Sequence, residues 1–304
     1  MEQLLRSILL SLAKNKLLNR WVTRYGLRLG AQKFVAGETI ESAIKAIRGL
    51  NEQNMSVVVD HLGEFVSKPE DAREGAKVNV ETVEAIQESK VDGFLSVKMT
   101  QMGLDIDRNL CLENMSQILD TAQKTGMLVT IDMEDSAHCQ ITLDIYHELK
   151  QTYDNVGIVI QSYLYRSLED VIQLAQEGAS LRIVKGAYKE PKEVAYPDKA
   201  DVDANFIKMM EVSLKGNGFT SIATHDESIV NYAKKFIAEN HISTNKYEFQ
   251  MLYGISTHLQ AQLVREGHPV RVYVPYGTDW YGYHMRRLAE RPANLSFVLR
   301  GLFK

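Results

Sequence analysis

Residues 94–133 read FLSVKMTQMGLDIDRNLCLENMSQILDTAQKTGMLVTIDM, and this stretch decides the fold. Phe94–Met99 and Leu128–Met133 are short runs in which apolar and polar residues alternate, the period of a β-strand. Between them Leu110–Lys124 has the apolar spacing of an amphipathic helix. Two strands joined by a helix of this length form a parallel βαβ unit. Working outward, the same alternation continues. Further strands are expected at Met55–Asp60, Val156–Ser162, Leu181–Lys185, Thr220–His225, Tyr247–Leu252 and Val270–Val274. Helices are expected at Lys77–Ser89, Gln140–Lys150, Leu168–Gln176, Val202–Leu214, Glu227–Ala238, Thr257–Arg265 and Tyr281–Ala289. Eight strands alternating with helices predict an α/β fold, a closed (β/α)8 TIM barrel. An open doubly wound sheet would call for a Gly-rich first turn, and the sequence has none.

The barrel occupies residues 54–304 in this reading, with helices in residues 1–53 packed on it, so that residues 1–304 form one domain. The first residues, MEQLLRSILLSLAKNKLL, have too short an apolar run for a signal peptide. Leu4, Leu5, Ile8, Leu9 and Leu12 recur at helical spacing, as in an amphipathic helix lying on the body. Arg6, Lys14 and Lys16 on its polar side would also suit a membrane surface. A last amphipathic helix is expected at Ala293–Phe303, after Pro292. No apolar run approaches the roughly 20 residues that cross a bilayer. The net charge of −4, with both signs mixed, leaves no basic footprint for nucleic acid. Cys111 and Cys139 have neither disulfide nor zinc spacing and read as reduced thiols of a cytoplasmic protein.

The strand ends are unusually polar. Lys98 closes the second strand, Asp132 the third, Gln161 the fourth and His225 the sixth, while Arg182 and Gln250 lie within the fifth and seventh. In a barrel the C-terminal strand ends carry the catalytic groups. Parity puts Ser96 with Lys98, Thr130 with Asp132, and Glu248 with Gln250 on one face, opposite Leu95, Val97, Val129, Ile131, Tyr247 and Phe249. The apolar face meets the helices, so the polar face lines the interior. Buried polar groups there are costly unless a polar ligand or an internal charge network satisfies them. Near the C-terminus, Tyr283, Arg286, Arg287 and Glu290 share one helical face. Paired guanidinium groups repel unless an anion lies between them, and arginine grips a carboxylate in a two-pronged fork. The bland alternative is a solvated charged helix face.

The chain resembles the proline dehydrogenases, in particular the single-function bacterial type. The resemblance rests on ordered motifs: DHLGE (60–64), SVKMT (96–100), TIDME (130–134), VIQSY (159–163), LRIVKGAY (181–188), ATHD (223–226), EFQMLYG (248–254), VYVPYGT (272–278) and YHMRRLAE (283–290). It implies an enzyme that oxidises L-proline to 1-pyrroline-5-carboxylate by hydride transfer to non-covalent FAD. Electrons would pass to a membrane quinone, in the first step of proline degradation to glutamate. It also implies peripheral contact with the inner face of the plasma membrane and a pyrroline-5-carboxylate dehydrogenase as downstream partner.

By the same resemblance Arg286, Arg287 and Lys98 would bind the proline carboxylate, and Asp132 would hold that basic cluster. Tyr273, Tyr283, Leu252, Ala187 and Tyr188 would surround the ring, with Glu64 as a gate paired to the first arginine. FAD contacts would come from Gln161, Arg182, Val184, Lys185, Gly186, Ala187, Thr224, His225, Asp226 and Glu290. Lys189 and Asp226 depart from the large bifunctional relatives, which carry Trp and Asn there.

Three rival readings follow from the residues. Lys185 could form a Schiff base as in a class I aldolase, although parity turns it toward the helices if Arg182 and Val184 face inward. Asp132, Glu134 and His225 could hold a metal in a barrel hydrolase, with few histidines to complete it. A barrel without flavin could bind proline and not turn it over.

Overall fold

The computed structural model describes residues 34–280 and Tyr283. The expected helices at residues 1–33 and Ala293–Phe303, and nearly all of Tyr281–Ala289, lie outside the described residues. The strands are β1 (Ser56–His61), β2 (Gly93–Lys98), β3 (Val129–Asp132), β4 (Val156–Gln161), β5 (Ser180–Val184), β6 (Phe219–Ala223), β7 (Tyr247–Leu252) and β8 (Val270–Tyr276). All pair in parallel in sequence order, and β8 closes on β1 with Val57 opposite Val272 and Val59 opposite Val274. This is the (β/α)8 barrel expected from the sequence.

Helix α1 (Ile40–Asn51) precedes β1; α2 (Pro69–Glu88), α3 (Arg108–Thr125), α4 (Cys139–Lys150), α5 (Ser167–Gln176), α6 (Lys199–Lys215), α7 (Glu227–Glu239) and α8 (Thr257–Arg265) connect the strands. Side chains close several helix starts. Thr39 and Ser42 form a reciprocal capping box on α1, Asp107 accepts from Leu110 N on α3, and Asp226 accepts from Ser228 N on α7. Helix α2 begins eight residues before its expected start. Pro69 opens it, Glu70 and Asp71 sit in its first turn, and Ala72, Gly75 and Ala76 bury their small side. A narrow face of small residues carries little apolar periodicity, so the pattern concealed this half of the helix.

The core lies between strands and helices. Val57, Val59, Leu95, Val97, Val129, Ile131, Ile158, Ile183, Ile222, Phe249, Val272 and Val274 are all buried on that outer strand face. Each contributes about 1.5–3 kcal/mol on burial. The inner face is polar, as parity requires, and its lower half is largely paired internally, with Gln250 Oε1 left without a partner among the described residues. Arg271 Nε donates to both Glu248 oxygens at 3.0 and 2.9 Å, its Nη1 donates to Val57 O, and its guanidinium lies 3.9 Å from the Phe94 ring centroid. Ser221 Oγ and Gln250 Nε2 also donate to Glu248. A cavity of about 320 Å3 adjoins this group and reaches Arg182.

Candidate active site

Above that floor, four strand ends bring charged groups together. Lys98 Nζ donates to Asp60 Oδ2 at 2.9 Å and to Asp132 Oδ2 at 3.1 Å. Arg182 Nη1 donates to Asp132 Oδ1 at 2.7 Å and to Ser96 Oγ at 3.1 Å. Ser96 Oγ donates to Asp132 Oδ1, and the Tyr273 hydroxyl donates to Asp132 Oδ2 at 2.7 Å. Asp132 is thus the hub, with both oxygens doubly engaged. Its adjacency to Lys98 follows from register, which sets Lys98 opposite Asp132 and Ser96 opposite Thr130.

Burial disfavours the Asp132 carboxylate, but Lys98, Arg182 and the hydrogen bonds from Tyr273 and Ser96 outweigh it and hold its carboxyl below the usual range. Burial also works against the Lys98 ammonium. Asp60, Tyr273, Asp132 and Tyr188 overcome it and keep the amine charged well beyond its ordinary range. The Tyr273 phenol is pushed up by burial and then by Asp132 and Asp60, so it stays a neutral donor. The two cations, Lys98 and Arg182, are balanced by two anions, Asp60 and Asp132. The ammonium of Lys98 is therefore not a spare cation, as the expected role in gripping a carboxylate would suggest. It is already held between two carboxylates, because β1 contributes Asp60 on the inner face. Sequence reading passed over Asp60, although it shares the inner face with Val58 and lies one residue before the end of β1.

The remaining predicted residues fall around this hub. Leu252 pairs with Tyr273 across β7 and β8, and its backbone N–H donates to His225 Nε2 at 2.9 Å. His225 lies two residues past the end of β6, so that strand is shorter than expected; Thr224 Oγ1 accepts from the Asp226 amide instead. Gln161 and Val184 are register partners across β4 and β5. Gly186 follows at φ +111°, where an added Cβ would stand 2.5 Å from the Tyr163 ring; glycine alone fits both conditions. The chain then runs through Ala187 to Tyr188, whose hydroxyl donates to Glu64 Oε2 at 3.4 Å. Tyr283 is buried. Arg286, Arg287 and Glu290 lie outside the described residues.

Lys185 points to the helix layer, as parity requires. It pairs with Asp226 at 2.8 Å and with Asp203 of α6, while Lys199 of α6 pairs with the same Asp226 at 3.0 Å. Burial opposes the Asp226 carboxylate, but the two lysines prevail and hold its carboxyl well below the usual carboxylate range. An amine engaged this way on the outside of the strand is badly placed for Schiff-base chemistry inside the barrel. The metal reading also loses its ligands: Asp132 is committed to Lys98 and Arg182, and Glu134 to Thr100.

Several buried side chains of the barrel interior keep polar atoms that meet no hydrogen-bond partner among the described residues: Nε and Nη2 of Arg182, Oε1 of Gln161, Oδ1 of Asp60 and, lower down, Oε1 of Gln250. Nε and Nη2 form the side-on fork of the guanidinium, a pair of donors, and Gln161 Oε1 is an acceptor. Buried groups of this kind are costly unless something satisfies them. The upper barrel therefore suits a polar molecule that offers acceptors to Arg182 and an N–H to Gln161.

Comparison with known proteins bears on what that molecule is. The family profile described as proline dehydrogenase matches residues 43–300. Proline dehydrogenase 2 of Bacillus subtilis is 46% identical over 299 residues, covering 98% of this chain and 99% of that one. Proline dehydrogenase of Deinococcus radiodurans is 41% identical over 308 residues, covering 100% and 99% respectively. Among solved structures, proline utilization A from Bdellovibrio bacteriovorus superposes with a TM-score of 0.80 at 26% identity. That match covers 90% of this chain but 34% of the other, so the present chain spans about a third of that larger protein.

Proposed function

The chain belongs to the proline dehydrogenase family, and on that premise we propose that it oxidises L-proline to 1-pyrroline-5-carboxylate with non-covalent FAD as the immediate acceptor and a quinone as the next. Proline dehydrogenase activity agrees with relatives of the same length at 41–46% identity. The observation that carries the flavin reading is the unpartnered fork of Arg182 beside the unpartnered Gln161 Oε1. An isoalloxazine ring offers both the acceptors and the N–H that these atoms lack. Val184, Gly186 and Ala187 would bring backbone close to the ring, with Thr224, His225 and Glu290 on the rest of the cofactor. Lys185 and Asp226 would face its phosphate and adenosine side. When bound, the flavin supplies the hydride acceptor for C5 of proline.

The protein's part is placement and field. Arg286 and Arg287 would grip the substrate carboxylate in a fork, while Lys98 acts from below as a cation fixed by Asp60 and Asp132. Tyr273 and Leu252 would wall the ring, Tyr283, Ala187 and Tyr188 would close the sides, and Glu64 would stand over the mouth. The added positive charge of Arg286 and Arg287 would favour the neutral substrate amine that hydride loss requires. Arg182 places positive charge where electrons arrive. The product would leave for a pyrroline-5-carboxylate dehydrogenase. Passage of electrons to a membrane quinone implies contact at the membrane surface, and among the described residues no helix is long and apolar enough to cross a membrane.

The test is the visible spectrum of freshly purified protein reconstituted with FAD. A bound-flavin spectrum that bleaches anaerobically on addition of L-proline is expected. A protein with no affinity for FAD, or a bound flavin that proline leaves oxidised, overturns the proposal.

A further inference from the structure

A second polar constellation lies behind the mouth of the barrel, apart from the Asp132 hub. Glu134, two residues past β3, is fully buried. Both its oxygens are given to one residue: Oε1 accepts from the Thr100 backbone N–H at 2.9 Å and Oε2 from the Thr100 hydroxyl. Thr100, two residues past β2, is likewise fully buried. It in turn holds two consecutive amides of the segment 62–68 between β1 and α2. Phe65 N–H donates to Thr100 Oγ1 at 2.9 Å, and Val66 N–H donates to Thr100 O at 3.3 Å. Phe65 adopts φ +54°, a left-handed conformation that a bulky side chain enters only at a cost in strain. Immediately before it stands Glu64.

The chemistry of this chain is directional. A hydroxyl has one hydrogen to donate and lone pairs to accept. An ionised carboxylate only accepts, so Glu134 draws the Thr100 hydrogen to itself and leaves a lone pair facing Phe65 N–H. A neutral carboxyl can instead donate to Thr100 Oγ1, which turns the hydroxyl round and puts it in competition with the Phe65 amide. The clamp is therefore firmest when Glu134 is charged. The charged and titratable groups facing Glu134 are Lys98 from β2, which favours its ionised form, and Glu64 from the 62–68 segment, which opposes it. The Cys111 thiol faces it from α3.

We propose that Glu134, acting through Thr100, is a positioning residue that sets the 62–68 segment and so places Glu64 over the substrate. The proposal rests on the reading of Glu64 as a gate over proline. Burial pushes the Glu134 carboxyl up to about 7, against the hydrogen bonds from Thr100, so the clamp tightens through neutral pH. Glu64 in turn meets the Tyr188 hydroxyl, which joins the segment to the wall that follows β5.

Two readouts test the clamp and the gate separately. Hydrogen exchange at the Phe65 and Val66 amides reports the clamp directly, with or without substrate. In Thr100→Val, which keeps the side-chain shape, exchange at Phe65 is expected to accelerate about tenfold, the equilibrium cost of one lost hydrogen bond. Thr100→Ser is expected to restore it. Glu134→Gln should accelerate exchange at both amides and abolish the change in protection that the parent shows across neutral pH, after correction for the intrinsic rate. With flavin bound, Thr100→Val and Glu134→Gln should raise KM for proline several-fold and leave kcat within a factor of about two. Parental exchange in Thr100→Val overturns the clamp. Faster exchange with an unchanged KM overturns its link to the substrate. A Glu64→Ala enzyme with parental KM overturns the gate reading, and with it the functional half of the proposal, while the exchange data still decide the clamp.

Discussion

Asp132→Asn is the most informative single change. The carboxylate accepts four hydrogen bonds, from Ser96, Arg182, Lys98 and Tyr273. Four is about the full capacity of its two oxygens. An amide keeps the shape but turns one of those oxygens into a donor, which faces other donors wherever it is placed. It also removes one of two anions balancing two cations, leaving a net positive charge buried near Arg182. Breaking a buried pair by deleting one partner costs about 3–5 kcal/mol. At about 2–4 °C per kcal/mol for a domain of this size, Tm should fall by roughly 6–20 °C. Denaturant unfolding gives the free energy directly. Combined with Arg182→Met in a double-mutant cycle, the two losses should fall short of additivity by at least about 1 kcal/mol.

The pH dependence adds a second check. Because the folded-state pKa of Asp132 is depressed, its contribution is complete above the unfolded value near 3.8 and is lost as pH falls through the lower folded value. The gap between parent and variant should therefore be full at neutral pH and narrow in acid. A Tm within about 2 °C of the parent, or strict additivity with Arg182→Met, would refute the hub.

Three further outcomes are expected. Tyr273→Ser should weaken proline binding and relax discrimination against 4-hydroxyproline, read from steady-state kinetics with both substrates. Arg287→Met should raise KM for proline by more than about tenfold, the worth of a charge-assisted hydrogen bond, while flavin absorbance stays with the protein. Glu134→Gln should alter the stability profile. The raised carboxyl of the parent gives stability that is complete below 4.5 and lost as pH rises through about 7, a loss of up to about 3 kcal/mol. Unfolding measured across this range should show that loss in the parent and a flatter profile in the variant.

Much of this arrangement could be read along the chain, and the reasons are local. Alternation of period two in FLSVKM and LVTIDM reports which face of a strand meets the helices. The inner positions of Ser96, Lys98, Asp132, Arg182, Glu248 and Gln250, and the outward turn of Lys185, followed from parity alone. The first half of α2 did not, because small residues bury without a strong apolar rhythm. Nor did the end of β6, where Thr224 accepts from the Asp226 amide and Asp226 caps the start of α7.

What the amino-acid order could not decide was which buried charge answers which. Pairing depends on register between strands distant in sequence. Asp60 and Lys98 are 38 residues apart, and Asp132 and Tyr273 are 141 apart, yet each pair shares a hydrogen bond. Pairing of β1 with β2 sets the first contact, and closure of the barrel, with β8 beside β1, brings Asp132 and Tyr273 within reach. The sequence determined the barrel and its polar lining, since both depend on short-range periodicity. The tertiary structure decided that Lys98 is a tethered cation, that Arg182 keeps an open fork, and that Glu134 is tied through Thr100 to the segment carrying Glu64. Hydrogen bonds depend on distances of a few ångströms, and those are set by packing.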